Sequence, residues 1–167
     1  EVGVLTPFYL LYLVFGAVVG LKLQVLICYF LGFWGTMRLG RTLGMSKLGG
    51  MVAAVAYFGS VHLAMHFAEG HMPFTHYAFF VWFIDYVLKG AEDRRYLIGA
   101  VAALALMILG NGAAVPLLYT LMFTFLLLVL RVVQHRSLRE IYGFAVAVGL
   151  ALGVTAVQFV PMVVYMV

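Results

Sequence analysis

The chain has 167 residues, 66% of them hydrophobic and 10% charged, with a mean hydropathy of +1.12 and a formal charge of +4. Soluble domains carry roughly 25% charged residues, so this balance points to a membrane protein, and long unbroken apolar runs argue against the alternating strands of a membrane β-barrel. The expectation is an all-α, polytopic transmembrane helical bundle in a lipid bilayer, with room for about five or six spans at roughly 20 residues each and no sizeable soluble domain.

Residues 5–20 are apolar but short. They open on Pro7 and carry Tyr9 and Tyr12 beside Phe8 and Phe15, a pattern that predicts an amino-terminal interfacial or re-entrant helix within residues 1–20. Full spans follow at about 21–38, 48–66, 73–89, 96–110, 115–131 and 141–160, six in all, within one transmembrane helical domain over residues 1–167. The sequence starts at Glu1 without a charged leader and closes in an apolar segment, so a fragment of a longer protein is expected.

The cations set the orientation. Arg38, Arg41 and Lys47 fall between spans one and two, Lys89, Arg94 and Arg95 between three and four, and Arg131, Arg136 and Arg139 between five and six. Nine of the ten Lys and Arg residues therefore share one side, and the positive-inside rule makes that side cytoplasmic. The basic balance is thus a topology signal and gives no reason to expect a nucleic-acid partner. His66–His76, the Gly110-Asn111-Gly112 turn and the Gln158–Pro161 end then face outward, where no cytosolic nucleotide is within reach.

Four of the five histidines, His62, His66, His71 and His76, lie with Glu69 in one stretch at the outward membrane boundary, His62 still within the span expected at 48–66. Ionisable groups at a membrane boundary are costly and mark candidate sites. His62 and His66 share a helical face, with Glu69 three residues beyond. Three uses are open: interfacial histidines wetted by head-group water, substrate binding by Glu69, His71 and His76, or a divalent metal on His62 and His66, although the tight HExxH spacing is absent. Lys22 is the lone outward cation, either snorkelling or meeting a phosphate. Asp85 precedes Lys89 by four residues, which predicts an ion pair. Asn111 and Gln158 fit helix-end hydrogen bonding, and the pairs Gly16/Gly20, Gly40/Gly44 and Gly149/Gly153 permit close helix approach. Cys28 lies alone in an apolar run and excludes an intrachain disulfide.

The order of features resembles a family. Thr6-Pro7-Phe8-Tyr9-Leu10-Leu11 is followed by Met37–Ser46, then by the small-residue run Gly49–Tyr57 leading to Glu69-Gly70-His71, then by Leu109-Gly110-Asn111-Gly112 and a closing Ala156-Val157-Gln158-Phe159-Val160-Pro161. This is similar, over nearly the whole chain, to the YfhO-type integral membrane proteins of the glycosyltransferase C superfamily. The chain departs at Gly110-Asn111, where that family often has Gly-His.

The resemblance implies a glycosyltransferase C-like fold. It further implies a multi-pass transferase of a bacterial or archaeal plasma membrane that moves a sugar from a polyprenyl-phosphate carrier to an extracytoplasmic acceptor. It places the general base, an acid in the first outward loop, upstream of Glu1. Glu69, His71 and His76 would line the outward cavity, and Lys22 would meet the carrier phosphate. The residues leave two other functions open: a non-catalytic subunit or scaffold working with other membrane subunits, and a transporter or metal-handling protein. Almost no ionisable residues lie inside the spans, which weighs against the last.

Overall fold

The computed structural model describes residues 7–60, 65, 66, 69, 72–110 and 114–157. Every regular element among them is helical: α1 (Tyr9–Thr42), α2 (Lys47–Phe58), a 3-10 turn (Met72–His76), α3 (Tyr77–Gly90), α4 (Arg95–Leu109), α5 (Ala114–His135) and α6 (Arg139–Val154). Two of these are long and apolar enough to cross a membrane, Tyr9–Thr42 and Leu117–Gln134, whereas Lys47–Phe58 and Arg95–Leu109 are shorter apolar helices.

Several boundaries differ from those expected. The break between the amino-terminal segment and the first long helix falls at Gly16, not after residue 20, because Gly16 adopts φ 76°, ψ 167°, a backbone region that suits glycine. The segment before it doubles back: a Cβ on Gly20 would lie 2.9 Å from the Tyr12 backbone, whereas a continuous helix separates those positions by about 12 Å. The second predicted span stops at Phe58, where Gly59 closes the helix by donating to the Val55 carbonyl at 2.7 Å. The last helix ends at Val154, and residues 158–160 of the span predicted there lie outside the described residues.

The turn from α1 to α2 follows from its sequence. Gly44 takes φ 81°, its N–H reaches the Arg41 carbonyl at 3.0 Å, and Met45 N–H reaches the Gly40 carbonyl at 2.8 Å. That pair of bonds is a Schellman motif. Two residues later the Ser46 hydroxyl accepts from Gly49 N–H at 3.1 Å and starts α2. Of the glycine pairs expected to bring helices together, Gly44 is thus a cap, and Gly149 and Gly153 face nothing within 4 Å. The close approaches run through Gly32, which lies under the Phe58 ring, Gly35, which lies under Trp82, and Gly40, which meets Gly50.

Helices α1 and α3 run parallel. Gln24 bonds to Thr75 and Trp82 to the Leu31 carbonyl, both across 51 residues, and a constant offset between partners means a shared direction. α3 and α4 form a tight antiparallel hairpin, with α6 against α4 and α5 leaning on α6. Phe83, Leu104, Met107, Leu128, Ala147 and Ala151 are completely buried. Beside this apolar core a few polar side chains, Gln24, Thr75, Asp85, Thr120 and Thr124, are buried, while Val14, Val18, Ile98, Leu118 and Val133 are exposed. Apolar surface of that extent suits lipid rather than water.

The three cation-bearing turns lie at one end of the bundle. Arg38 and Lys89 meet the same carboxylate, Asp85, and Arg94 and Arg139 line a common cavity. The Asp85–Lys89 pair expected from the spacing is present at 2.8 Å.

Candidate functional site

At the end opposite the cations, the start of α3 gathers polar groups on two sides. On the first, the Tyr12 hydroxyl donates to Gln24 Oε1, Gln24 Nε2 donates to Thr75 Oγ1 at 3.1 Å, and Thr75 Oγ1 lies 3.3 Å from His76 Nδ1. Gln24, Thr75 and His76 are all buried, so the chain of contacts satisfies groups that would otherwise be costly in an apolar interior. The doubled-back amino-terminal segment closes this side: Phe8 meets His76 edge-on at 6.1 Å and Phe79 at 6.3 Å. Gly110 lies against the imidazole so closely that a Cβ there would be 2.0 Å from His76 Nε2.

On the second side, α2, α3 and α5 enclose a cavity of about 270 Å³. Tyr57, Ser60, Tyr77, Tyr119, Thr120 and Phe123 supply most of its wall, which is largely aromatic and apolar; the Ser60 hydroxyl is committed to the Tyr57 carbonyl at 2.9 Å and the Thr120 hydroxyl to Met107 Sδ at 3.8 Å. The volume falls just below the roughly 300–1,000 Å³ of small-molecule sites. Tyr57 and Tyr77 come from the end of α2 and the first residue of α3, and Tyr119 and Thr120 from the second turn of α5.

The residues singled out in the sequence fall around these two features. His66 stacks on Phe74 at 3.7 Å, with 10° between the rings, and its Nδ1 lies 3.8 Å from Glu69 Oε2. Phe74 in turn meets Tyr77 at 5.4 Å, so the pair Glu69–His66 is linked by ring contacts to the cavity wall. Glu69 is exposed, and so is Lys22, which does not line the cavity. His76 belongs to the buried polar chain on the other side of α3. His62, His71, Asn111 and Gln158 lie outside the described residues. No three His, Cys, Asp or Glu side chains come together to hold a metal among the described residues.

Sequence reasoning missed the cavity hydroxyls, because tyrosines near span ends also read as ordinary interfacial anchors. A sequence signal existed for two of them: Tyr77 and Tyr119 fall near the outward ends of the spans expected at 73–89 and 115–131, whereas Tyr57 falls in the middle of the span expected at 48–66. No family model matches the chain, and no curated protein or solved structure matches it at a significant level.

Proposed function

We propose that the chain is part of a multi-spanning, glycosyltransferase C-type membrane enzyme, which moves a sugar from a polyprenyl-phosphate carrier to an acceptor on the extracytoplasmic side. In this reading all six helices lie in the bilayer and the cation-bearing turns are cytoplasmic. The observation that carries the reading is the cavity between α2, α3 and α5, at the end away from the cations, with Tyr57, Tyr77 and Tyr119 on its wall. Aromatic faces accept the C–H face of a sugar, and hydroxyls that both donate and accept match its alcohols. Glu69 with His66 and His71 would border the acceptor side, His76 would hold the floor of α3 in place, and Lys22 would meet the carrier phosphate. The general base lies upstream of Glu1 in this scheme.

The test is radiolabel transfer by the full-length protein in membranes supplied with polyprenyl-phosphate sugars. Tyr77→Ala and Tyr119→Ala should each lower transfer at least tenfold, a loss of about 1.4 kcal/mol in transition-state stabilisation. Glu69→Ala and His71→Ala should lower it as well. Parent activity in the two tyrosine variants would remove the cavity from the reaction.

A second reading, a non-catalytic subunit of a larger membrane assembly, draws on one observation: no carboxylate lines the cavity among the described residues. Folded full-length protein that transfers no sugar from any of the donors would favour it, with the resemblance then describing fold alone.

A further inference from the structure

At the basic end a cavity of about 650 Å³ opens between the α3–α4 turn and the start of α6. Arg94, Arg139, Tyr142 and Glu92 contribute to its wall, with apolar Leu97 and Val146 beside them. The neighbouring charges are already matched. Arg38 and Lys89 both serve Asp85, and Arg131 grips both oxygens of Glu140 at 3.0 and 2.9 Å. Neither Arg94 nor Arg139 has a carboxylate within 4 Å among the described residues. Two guanidinium groups against the single acid Glu92 leave the cavity positive.

The backbone adds orientation more than donors. α4 starts at Arg95 and α6 at Arg139, so the positive ends of two helix dipoles point here. The first N–H groups are occupied, Arg95 N–H by Asp93 Oδ1 at 3.0 Å and Arg139 N–H by the Ser137 hydroxyl at 3.4 Å. The side-chain donors on the cavity wall are the two guanidinium forks and the Tyr142 hydroxyl. Guanidinium geometry matches phosphate oxygens bidentately, and basic pockets between helices at the cytoplasmic face suit anionic head groups.

We infer that this cavity is a phosphate-ester site, in which Arg94 and Arg139 hold either the head group of an anionic phospholipid or a small soluble phosphate ester. The site is separate from the tyrosine-lined cavity and stands without the transferase reading. Leu97 and Val146 give a lipid's glycerol and first methylenes an apolar surface to lie on.

The experiment is native mass spectrometry of the full-length protein released from nanodiscs of mixed phosphatidylglycerol and phosphatidylcholine. The parent should retain phosphatidylglycerol. R94Q/R139Q should retain at least about tenfold less, since loss of even one of the two charge-assisted contacts costs that much. R41Q/R136Q, which removes two exposed cations that do not line the cavity, should retain as much as the parent. Val146→Trp keeps both arginines but fills the cavity, and it too should lose the lipid. Displacement by glycerol 3-phosphate assigns the site to soluble esters, and resistance to it assigns the site to lipid. Equal retention by parent and R94Q/R139Q, equal loss in both double variants, or full retention by Val146→Trp would each overturn the inference.

Discussion

Arg38 Nε lies 2.8 Å from Asp85 Oδ2, and the guanidinium carbon stands 5.2 Å from the Trp82 ring and 5.0 Å from the Tyr86 ring. The carboxylate is fully buried, receives Lys89 at 2.8 Å and accepts from the Thr42 hydroxyl. Each acid oxygen thus has a donor, which is what a charge in an apolar interior requires. Both cations keep partial contact with solvent, at 30% and 25% exposure, so they tolerate loss of the acid better than the acid tolerates loss of them.

Arg38→Ala should therefore destabilise by about 2–4 kcal/mol, near the range for breaking a buried pair. Asp85→Asn should cost less, and Arg38→Lys about 1 kcal/mol, through lost ring contact and fork geometry. Thermal unfolding in detergent measures all three. An Arg38→Ala melt at the parent's temperature would mean that the network does not hold α1 to α3.

Gly32 sets the fit between α1 and α2. A Cβ there would come within 1.9 Å of Phe58 Cζ, a clash that only movement of the ring or of the helix relieves. Gly32→Ala should lose about 1–3 kcal/mol, as overpacking does, and Gly32→Ala with Phe58→Leu should recover most of it. Gly149→Ala, where nothing lies within 4 Å, should be neutral or stabilising by up to about 1 kcal/mol through helix propensity.

Topology can be read with one reagent. Cys28 is the single cysteine and is 1% exposed, so a membrane-impermeant maleimide should leave the parent unlabelled. Glu92→Cys and Leu138→Cys place thiols at the basic end, and Glu69→Cys places one at the other. In intact cells only Glu69→Cys should label, with Glu92→Cys and Leu138→Cys labelling after permeabilisation. The reverse pattern would invert the proposed orientation.

The helical class, the element order and the clustering of the cations were legible in the sequence, because apolar runs and charges are local signals. The Asp85–Lys89 pair was legible for the same reason, its partners being one helical turn apart. Arg38 and Thr42 were not, since they reach Asp85 from 47 and 43 residues away and only the parallel packing of α1 and α3 brings them there. The backbone break at Gly16 was placed four residues late because composition does not distinguish a glycine with positive φ from one, such as Gly20, that makes room for a neighbouring backbone. The helix α2 is shorter than expected for a related reason: Val61, Leu63, Ala64 and Met65 continue the apolar run beyond Gly59 between Ser60, His62 and His66, and hydropathy cannot register a cap. The tyrosine-lined cavity joins α2 and α3 to the more distant α5, and the approach of Tyr119 to Tyr57 and Tyr77 is set by packing that no local pattern records.

The contacts of α1 with α3 and the 3-10 turn before it recur at Gln24, Leu31 and Arg38, and their partners include Thr75 in the turn and Trp82 and Asp85 in α3. On α1 these positions are two turns apart, or about 10.5 Å along the axis, so the seam resembles a ladder with three rungs from one face of the bundle to the other. Sliding one helix past the other by a single turn would break every rung at once. The two helices are consequently geared to move as one rod, and rearrangement at either end has to come from the helices packed around them.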